Sequence, residues 1–533
     1  MADRINEIID ESGEWQGGGT IMGHPKGLFY LFFAELWERF SFYGMRALLT
    51  LYMVQELFSD ISNGKEVAYG IYAAYGSLVY FTPAIGGMIA DRVIGHKNSI
   101  MLGAVLMTLG HFTMAFENDL IFFLSLGLLI IGNGFFKPNI SSLVGGLYEE
   151  GNPKRDGGFT IFYMGINIGA FLAPLLCGWL GDSYGWHYGF GAAGIGMLAG
   201  LIVFWRGAVT NVYGNQGNQP KEMQEKKYVG LNIKNIVYIL AFLSAPLFGF
   251  LVLQNDFIVQ LGFAQPPLMS FLLDALLVLV VIYITYICIK SDKVTRERLF
   301  VIAILTLFIT VFWACFELSG SAITLFAEEN VNLIGLSASQ TNSINPFFIM
   351  VFAIPFSLMW VKLDKTKKNP RTPVKFAFGI IQLGVGFVLL AISSRFMDTA
   401  GMVPMLFLVL GYLFMTTGEL FISPVGLSKV TELAPIKLVS FMMGVWFLSS
   451  AFAHHIAGLI SKLTVSGSEE KTGFLQTLAV NITGEVPSGS SSQVINLFNY
   501  TSVFAQVAIV AFGFGIIALI LTPVIKKWMH GIH

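Results

Sequence analysis

Residues 33–46, FAELWERFSFYGMR, set Glu35, Glu38, Arg39 and Arg46 in an otherwise apolar, aromatic stretch. At 100° per residue these four, with Phe42 and Tyr43, fall within about 140° of one another and share one helix face. A charge at the centre of a bilayer costs at least about 2.5 kcal/mol, so such residues face a bundle interior or a wet cavity. Intramembrane ionisable residues are functional candidates by default. The plainer alternative is a self-neutralising Glu35–Arg39 pair at i,i+4 that only orients the helix. That pair leaves Glu38 and Arg46 without evident partners on the helix.

Other polar residues fall deep in apolar runs: Lys137 in GFFKPN, Glu317 in WACFELSG, Glu419 in TTGELFISP, Asn167 in FYMGINIGA and Asn345 in SINPFFIM. Interhelical hydrogen bonding would account for either asparagine alone, and a fixed ion pair would account for Lys137 and Glu419. Trp313 and Trp446, taken singly, read as packing. Cys177, Cys288 and Cys315 lie far apart in apolar runs, as small core residues do. His454, His455 and the scattered acids form no metal-ligand or nucleophile–base spacing. No metal, no cofactor and no enzyme activity are therefore expected. With no long basic or acidic tract, no nucleic-acid partner is expected either.

These residues need a membrane scaffold to position them. The 533 residues are 55% hydrophobic and only 12% charged, against roughly 25% charged in a typical soluble domain. Apolar runs of spanning length recur near 28–55, 67–93, 98–116, 120–149, 157–181, 187–206, 235–255, 268–290, 297–326, 343–362, 373–394, 402–430, 437–462 and 497–526. The chain is thus expected to be an all-α polytopic membrane protein with 14 transmembrane helices in the lipid bilayer. The first 26 residues are polar, so the first helix is expected to serve as its own insertion signal. Lys and Arg concentrate in the loops 206–234, 290–298 and 362–375. The positive-inside rule then places both termini in the cytoplasm.

Weak internal repeats organise the spans. WxxFxxxG occurs at Trp37, Phe40 and Gly44 and again at Trp313, Phe316 and Gly320. GxxFxxPxxxSxV occurs at 132–144 and 418–430, and FYMGI at 162–166 is echoed by FMMGV at 441–445. Each pair is separated by about 280 residues, in the same order. Two homologous six-helix halves follow, with the spans at 235–255 and 268–290 left as an insertion. The expected domains are a cytoplasmic N-terminal tail (1–26), a six-helix bundle (27–207), a cytoplasmic linker (208–232) and an inserted transmembrane hairpin (233–292). A second six-helix bundle (293–528) and a short cytoplasmic tail (529–533) complete them. Parallel six-helix repeats are the organisation of the major facilitator fold, whose substrate site lies near the bilayer midplane. GGMIADRVIGHKNS (86–99) resembles that superfamily's cytoplasmic loop motif.

ELWERFSFYG further resembles the ExxERFxYYG motif of the proton-dependent oligopeptide transporters, a branch of that superfamily. FYMGINIGA resembles their FYxxINxG signature and GNGFFKPN their fourth-helix motif. The two-helix insertion is similar to that of bacterial members, and the resemblance covers about residues 24 to 528. It departs at Phe42, where the family often has Tyr. The resemblance implies proton-coupled symport of di- and tripeptides in the plasma (bacterial inner) membrane, with protons as co-substrate. A peptide zwitterion needs a cation for its carboxylate and an anion for its ammonium. By similarity, Arg46 would hold the carboxylate with Lys137 contributing, Glu419 with Asn345 would hold the amino end, and Asn167 would bond the peptide backbone. Tyr43, Tyr80, Trp313, Phe316, Ser423 and Trp446 would line side-chain pockets. Glu317 is the first candidate for proton coupling, and the cluster Glu35, Glu38 and Arg39 is the second. Lys137 and Glu419 would also gate the cytoplasmic side. Transport of another small solute such as nitrate, or a non-transporting receptor on the same fold, remain as alternatives.

Overall fold

The computed structural model describes residues 19–116, 118–149, 152, 154–228, 230–253, 268–435, 438–465 and 473–532. Residues 1–18 of the expected N-terminal tail and 254–267 between the two hairpin spans lie outside them. The described chain is all-α apart from three pairs of two-residue strands. Its long helices are α1 (Lys26–Tyr52), α2 (Gly64–Ile89), α3 (His96–Met114), α4 (Asp119–Gly146), α5 (Arg155–Ala173), α6 (Trp186–Val209) and α7 (Ile233–Leu253). They continue with α8 (Leu268–Lys290), α9 (Lys293–Phe316), α10 (Ile344–Lys365), α11 (Thr372–Ile392), α12 (Met405–Leu433), α13 (Val439–Leu463) and α14 (Ser492–Trp528).

Among the described residues, twelve helices are long and apolar enough to cross a membrane. The other two long helices, α1 and α3, fall where the first and third spans were expected, and α1 carries the four-charge stripe. Helix starts follow local chemistry. The Asn118 side chain accepts from the Ile121 backbone N–H at 3.1 Å, and Asp292 accepts from Val294 and Thr295 at 3.0 and 3.3 Å. Each satisfies donors that an unclosed first turn leaves unpaired.

The chain forms two compact units. Unit 1 comprises the described residues through Leu48 and those of Leu78–Gln254; unit 2 comprises Leu49–Ser77 and the described residues of Asn255–His533. This division cuts across the expected sequence halves. The first turns of α2 belong with the C-terminal half, and the two helices of the inserted hairpin belong to different units.

In unit 1 glycines permit close helix approach. A Cβ on Gly169 of α5 would lie 2.3 Å from the Leu36 carbonyl oxygen of α1. Gly103 of α3 and Gly132 of α4 face each other, a Cβ on the former lying 2.5 Å from the latter's carbonyl oxygen. The same device recurs in unit 2, where a Cβ on Gly379 of α11 would lie 2.7 Å from the Gly418 carbonyl oxygen of α12. That equivalence matches the repeat read from the sequence. Helix α7 seats its Ala241 and Ala245 in an apolar cluster with Leu102, Leu106, Leu128 and Phe135 of α3 and α4.

The segment after α6, expected as linker, begins as part of unit 1. Val212 and Tyr213 are buried, and the Tyr213 ring stacks on Phe204 at 5.3 Å. Lys97 Nζ donates to the Gly214 carbonyl at 2.5 Å and to Asn218 Oδ1 at 2.8 Å, and its backbone N–H donates to the Gly217 carbonyl at 2.9 Å. Gly95 has φ +77°, and a Cβ there would lie 2.5 Å from the Asn218 carbonyl carbon. The loop motif at 86–99 thus latches onto residues 214–218.

In unit 2, α2 packs along α13 through small residues. Ser77 Oγ donates to the Ala451 carbonyl at 2.9 Å, and a Cβ on Gly458 would lie 2.4 Å from the Ala73 Cβ. Lys65 pairs with Glu329 at 2.6 Å. Helix α8 meets α13 through an edge-to-face contact of Tyr283 with Phe441. The span expected at 297–326 is interrupted: α9 ends at Phe316, a 3₁₀ turn covers Glu317–Gly320, and a short helix resumes at Ala322–Asn330.

Candidate functional site

Unit 1 carries the ion cluster of α1. Glu35, Glu38 and Arg39 are 3%, 0% and 4% exposed. Arg39 Nη2 donates to Glu38 Oε1 at 2.6 Å, and its Nε donates to Glu38 Oε2. This makes a bidentate pair between neighbours in sequence. Arg39 Nε also lies 3.3 Å from Glu35 Oε1. The i,i+4 contact, the plainer alternative from spacing, is therefore the longer one, and Glu38, which that alternative left aside, supplies the main contact. Fork-to-fork geometry is the strongest arrangement open to a guanidinium and carboxylate, and in this dry setting it prevails over helical spacing. Glu35 Oε2 is buried and has no hydrogen-bond partner among the described residues. Arg39 also lies 5.2 Å from the centroid of the Phe42 ring.

Lys137, on α4, holds its Nζ 4.1 Å from the centroid of Tyr80 of α2, a cation–π contact. Asn167, on α5, is buried, and its Nδ2 donates to the Tyr163 carbonyl one turn earlier at 2.9 Å. Tyr43 and Arg46 are half-buried on α1. At 1.5 Å rise per residue, Arg46 stands about 10 Å along the helix from Arg39. Unit 1 therefore separates a sealed ion cluster from a half-buried arginine.

Unit 2 carries Glu317 and Glu419. Glu419 of α12 is 9% exposed, and Asn345 of α10 donates to its Oε2 at 3.1 Å while also donating to Thr416 at 3.0 Å. The structure thus brings Asn345 to Glu419, the pair expected at one anchor. Trp313 and Phe316 meet edge to face, with centroids 5.2 Å apart. Trp446 of α13 lies on Gly426 of α12, where a Cβ would come within 2.3 Å of the indole. Ser423 is exposed.

Glu317 sits at the break after α9 and is 5% exposed. Its Oε2 lies 3.3 Å from Nε2 of His454 on α13. Sequence reading set His454 aside for want of metal spacing; its partner is 137 positions away in the chain, beyond any local pattern. The His454 ring lies against Gly76, where a Cβ would come within 2.0 Å of its Cδ2; this too was not legible, since nothing in GSLVY distinguishes Gly76 from the many other glycines of the apolar runs.

Three comparisons bear on this arrangement. The profile of the POT family, PTR2, matches residues 97–477. The chain is 37% identical to the uncharacterized transporter YclF of Bacillus subtilis, over 100% of both chains. It is 34% identical to the di-/tripeptide transporter of Lactococcus lactis subsp. lactis, over 84% of this chain and 92% of the relative. Among solved structures, the peptide transporter POT in complex with sulfate superposes with a TM-score of 0.77 at 33% identity, covering 100% of both chains. A variant of peptide transporter POT in complex with alafosfalin gives 0.79 at 33% identity, also covering 100% of both.

Proposed function

The chain belongs to the POT family, and on that premise we propose that it carries di- and tripeptides by proton-coupled symport with alternating access. In this reading α1 and α3 join the twelve apolar helices to give fourteen spans, as a major facilitator fold with an inserted hairpin. The protein lies in a bacterial inner membrane with both termini in the cytoplasm. Arg46, with Lys137, reads the peptide carboxylate. Glu419, steadied by Asn345, reads the ammonium, and Asn167 addresses the peptide backbone. Tyr43, Tyr80, Trp313, Phe316, Ser423 and Trp446 accommodate side chains, because few polar anchors in apolar walls suit many residues. Glu317 and the Glu35, Glu38 and Arg39 cluster couple protons, and Lys137 and Glu419 also serve the gate.

The observation that carries this reading is the Glu419 carboxyl held at 3.1 Å by Asn345. A buried acid with an amide to orient it suits a cationic ligand group, and nitrate offers it nothing to bind. The test is uptake of labelled dialanine into proteoliposomes, with and without an inward proton gradient. Accumulation only with the gradient supports symport. Uptake that ignores the gradient removes the coupling, and absence of uptake or exchange favours a receptor or another solute.

A further inference from the structure

We propose that the cleft between α2, α4 and α7 in unit 1 binds one anionic glycerophospholipid, with an acyl chain in the cleft and the phosphate at Arg92 and Lys234. This goes beyond peptide transport and is independent of how protons are coupled. The cleft follows from where glycines let the helices meet. A Cβ on Gly86 of α2 would lie 2.0 Å from the Gly134 carbonyl oxygen of α4, and one on Gly127 of α4 would lie 2.0 Å from the Ala245 carbonyl oxygen of α7. Helices α2 and α7 therefore lean on α4 at points about two turns apart along it. Towards the end of α2 the gap between them closes, where Val93 and Ile94 join Val237 and Tyr238 in one apolar cluster.

The space left between the three helices is about 280 Å³, roughly twice the apolar cavity of about 150 Å³ that takes up benzene. Its walls include Ile85 and Ile89 of α2, Ile131 and Phe135 of α4, and Leu240 and Phe248 of α7. Two hydroxyls also line it, and both donate to backbone: Thr82 to the Ile130 carbonyl at 2.9 Å and Ser244 to the Ala241 carbonyl at 2.8 Å. Among the described residues no ionisable side chain lines the cleft, which therefore suits hydrocarbon and not a peptide. All three helices are apolar enough to span a membrane, and Ile85 and Leu240 at the mouth are exposed. The medium at that mouth is the acyl region of the bilayer.

Charge at the closed end makes the occupant anionic. Arg92 follows Ile89 by three residues and Lys234 precedes Val237 by three, so each stands about one turn beyond the lining. Arg92 is exposed and Lys234 half-buried. A third cation stands beside them, because the Ile233 N–H that opens α7 donates to the Lys226 carbonyl at 3.1 Å. The adjacent acid, Asp91, lies 3.5 Å from His96 Nε2. Basic pockets between membrane helices hold anionic lipid headgroups. Here such a basic rim adjoins a hydrocarbon recess, so both halves of one phospholipid are met in one place.

The experiment measures phosphatidylglycerol and phosphatidylcholine of identical acyl chains retained by the full chain in detergent, by native mass spectrometry, with thermal unfolding alongside. Wild type is compared with the pair Arg92→Gln/Lys234→Gln, with the cleft-filling variants Ser244→Phe and Leu240→Trp, and with the control pair Lys367→Gln/Lys368→Gln in another basic loop. Wild type is expected to retain one phosphatidylglycerol in preference to phosphatidylcholine and to melt higher when it is added. At about 1 kcal/mol per cation near the membrane surface, the Arg92/Lys234 pair should lose phosphatidylglycerol at least about tenfold. The filling variants should lose both lipids, and the control pair should match wild type. Equal retention of the two lipids by wild type, or phosphatidylglycerol held at the wild-type level by the Arg92/Lys234 pair, would overturn the anionic assignment. An undiminished preference in a folded filling variant would overturn the cleft as the acyl seat. An equal loss in the control pair would assign retention to diffuse surface charge, and a dimer that the filling variants dissociate would assign the cleft to a second copy; either result overturns the proposal.

Discussion

Replacing Glu38 and Glu35 in turn by glutamine distinguishes a structural clamp from an exchangeable proton site. Glu38 supplies both acceptor oxygens to Arg39, through Nε and Nη2, whereas Glu35 supplies one at 3.3 Å. Breaking a buried ion pair from one side costs about 3–5 kcal/mol. In Glu38→Gln the remaining Glu35 still neutralises Arg39, and the amide oxygen still accepts one hydrogen bond. The loss is then closer to that of one hydrogen bond to a charged group, about 1.5–3 kcal/mol. In Glu35→Gln the longer contact weakens and the other oxygen had no partner to lose, so the cost is about 1 kcal/mol or less. At 1.4 kcal/mol per decade, Glu38→Gln should shift the unfolding equilibrium by roughly 10- to 100-fold and Glu35→Gln by less than about tenfold. Thermal and denaturant unfolding of the purified variants in one detergent measures this order. A loss for Glu35→Gln equal to or greater than that for Glu38→Gln would refute the reasoning that bidentate geometry decides which acid holds Arg39.

Arg46→Ala is expected to abolish both gradient-driven uptake and counterflow, with dialanine affinity falling at least about tenfold on loss of a charged hydrogen-bond partner; normal affinity in a folded variant removes Arg46 from the site. Glu419→Gln should weaken peptides with a free amino terminus far more than N-acetylated ones, as read by competition for dialanine uptake; equal losses show that Glu419 reads something else. Asp292, between α8 and α9, has its carboxyl held below the usual range by hydrogen bonds to the Thr295 side chain and backbone. Its folded-state pKa is depressed, so its contribution is present above the ordinary carboxylate pKa and is lost as pH falls through the lowered value. Asp292→Ala should accordingly lower the melting temperature at neutral pH and make less difference in acid, as measured by unfolding across that range.

Much of the scaffold was legible because its signals are periodic or repeated. The α1 stripe appears from 100° spacing alone, and the repeated GxxFxxPxxxSxV motif matches Gly132 with Gly418, both of which turn out to make close helix contacts. Helical spacing offers Glu35 as the plain partner of Arg39, whereas burial rewards the two-pronged contact with Glu38. The interruption at Glu317–Gly320 escaped notice because serine and glycine are ordinary inside membrane helices, so ELSG carries no stop signal. His454 escaped because its contacts, with Glu317 and with Gly76, come from other helices far along the chain. Local patterns describe faces of helices; they do not say which face meets which.

The latch between Lys97 and residues 214–218 bears on protein engineering. The long polar connection 208–232 is a natural choice for splicing in a reporter domain or an affinity epitope. Its first part, however, carries a buried tyrosine, three bonds from Lys97 and an approach that admits only glycine at Gly95. An insertion there would disrupt unit 1 itself and would be mistaken for an effect of the cargo. The paired strands Lys227–Tyr228 and Leu231–Asn232 lie beyond the latch, and a junction beside them leaves it intact.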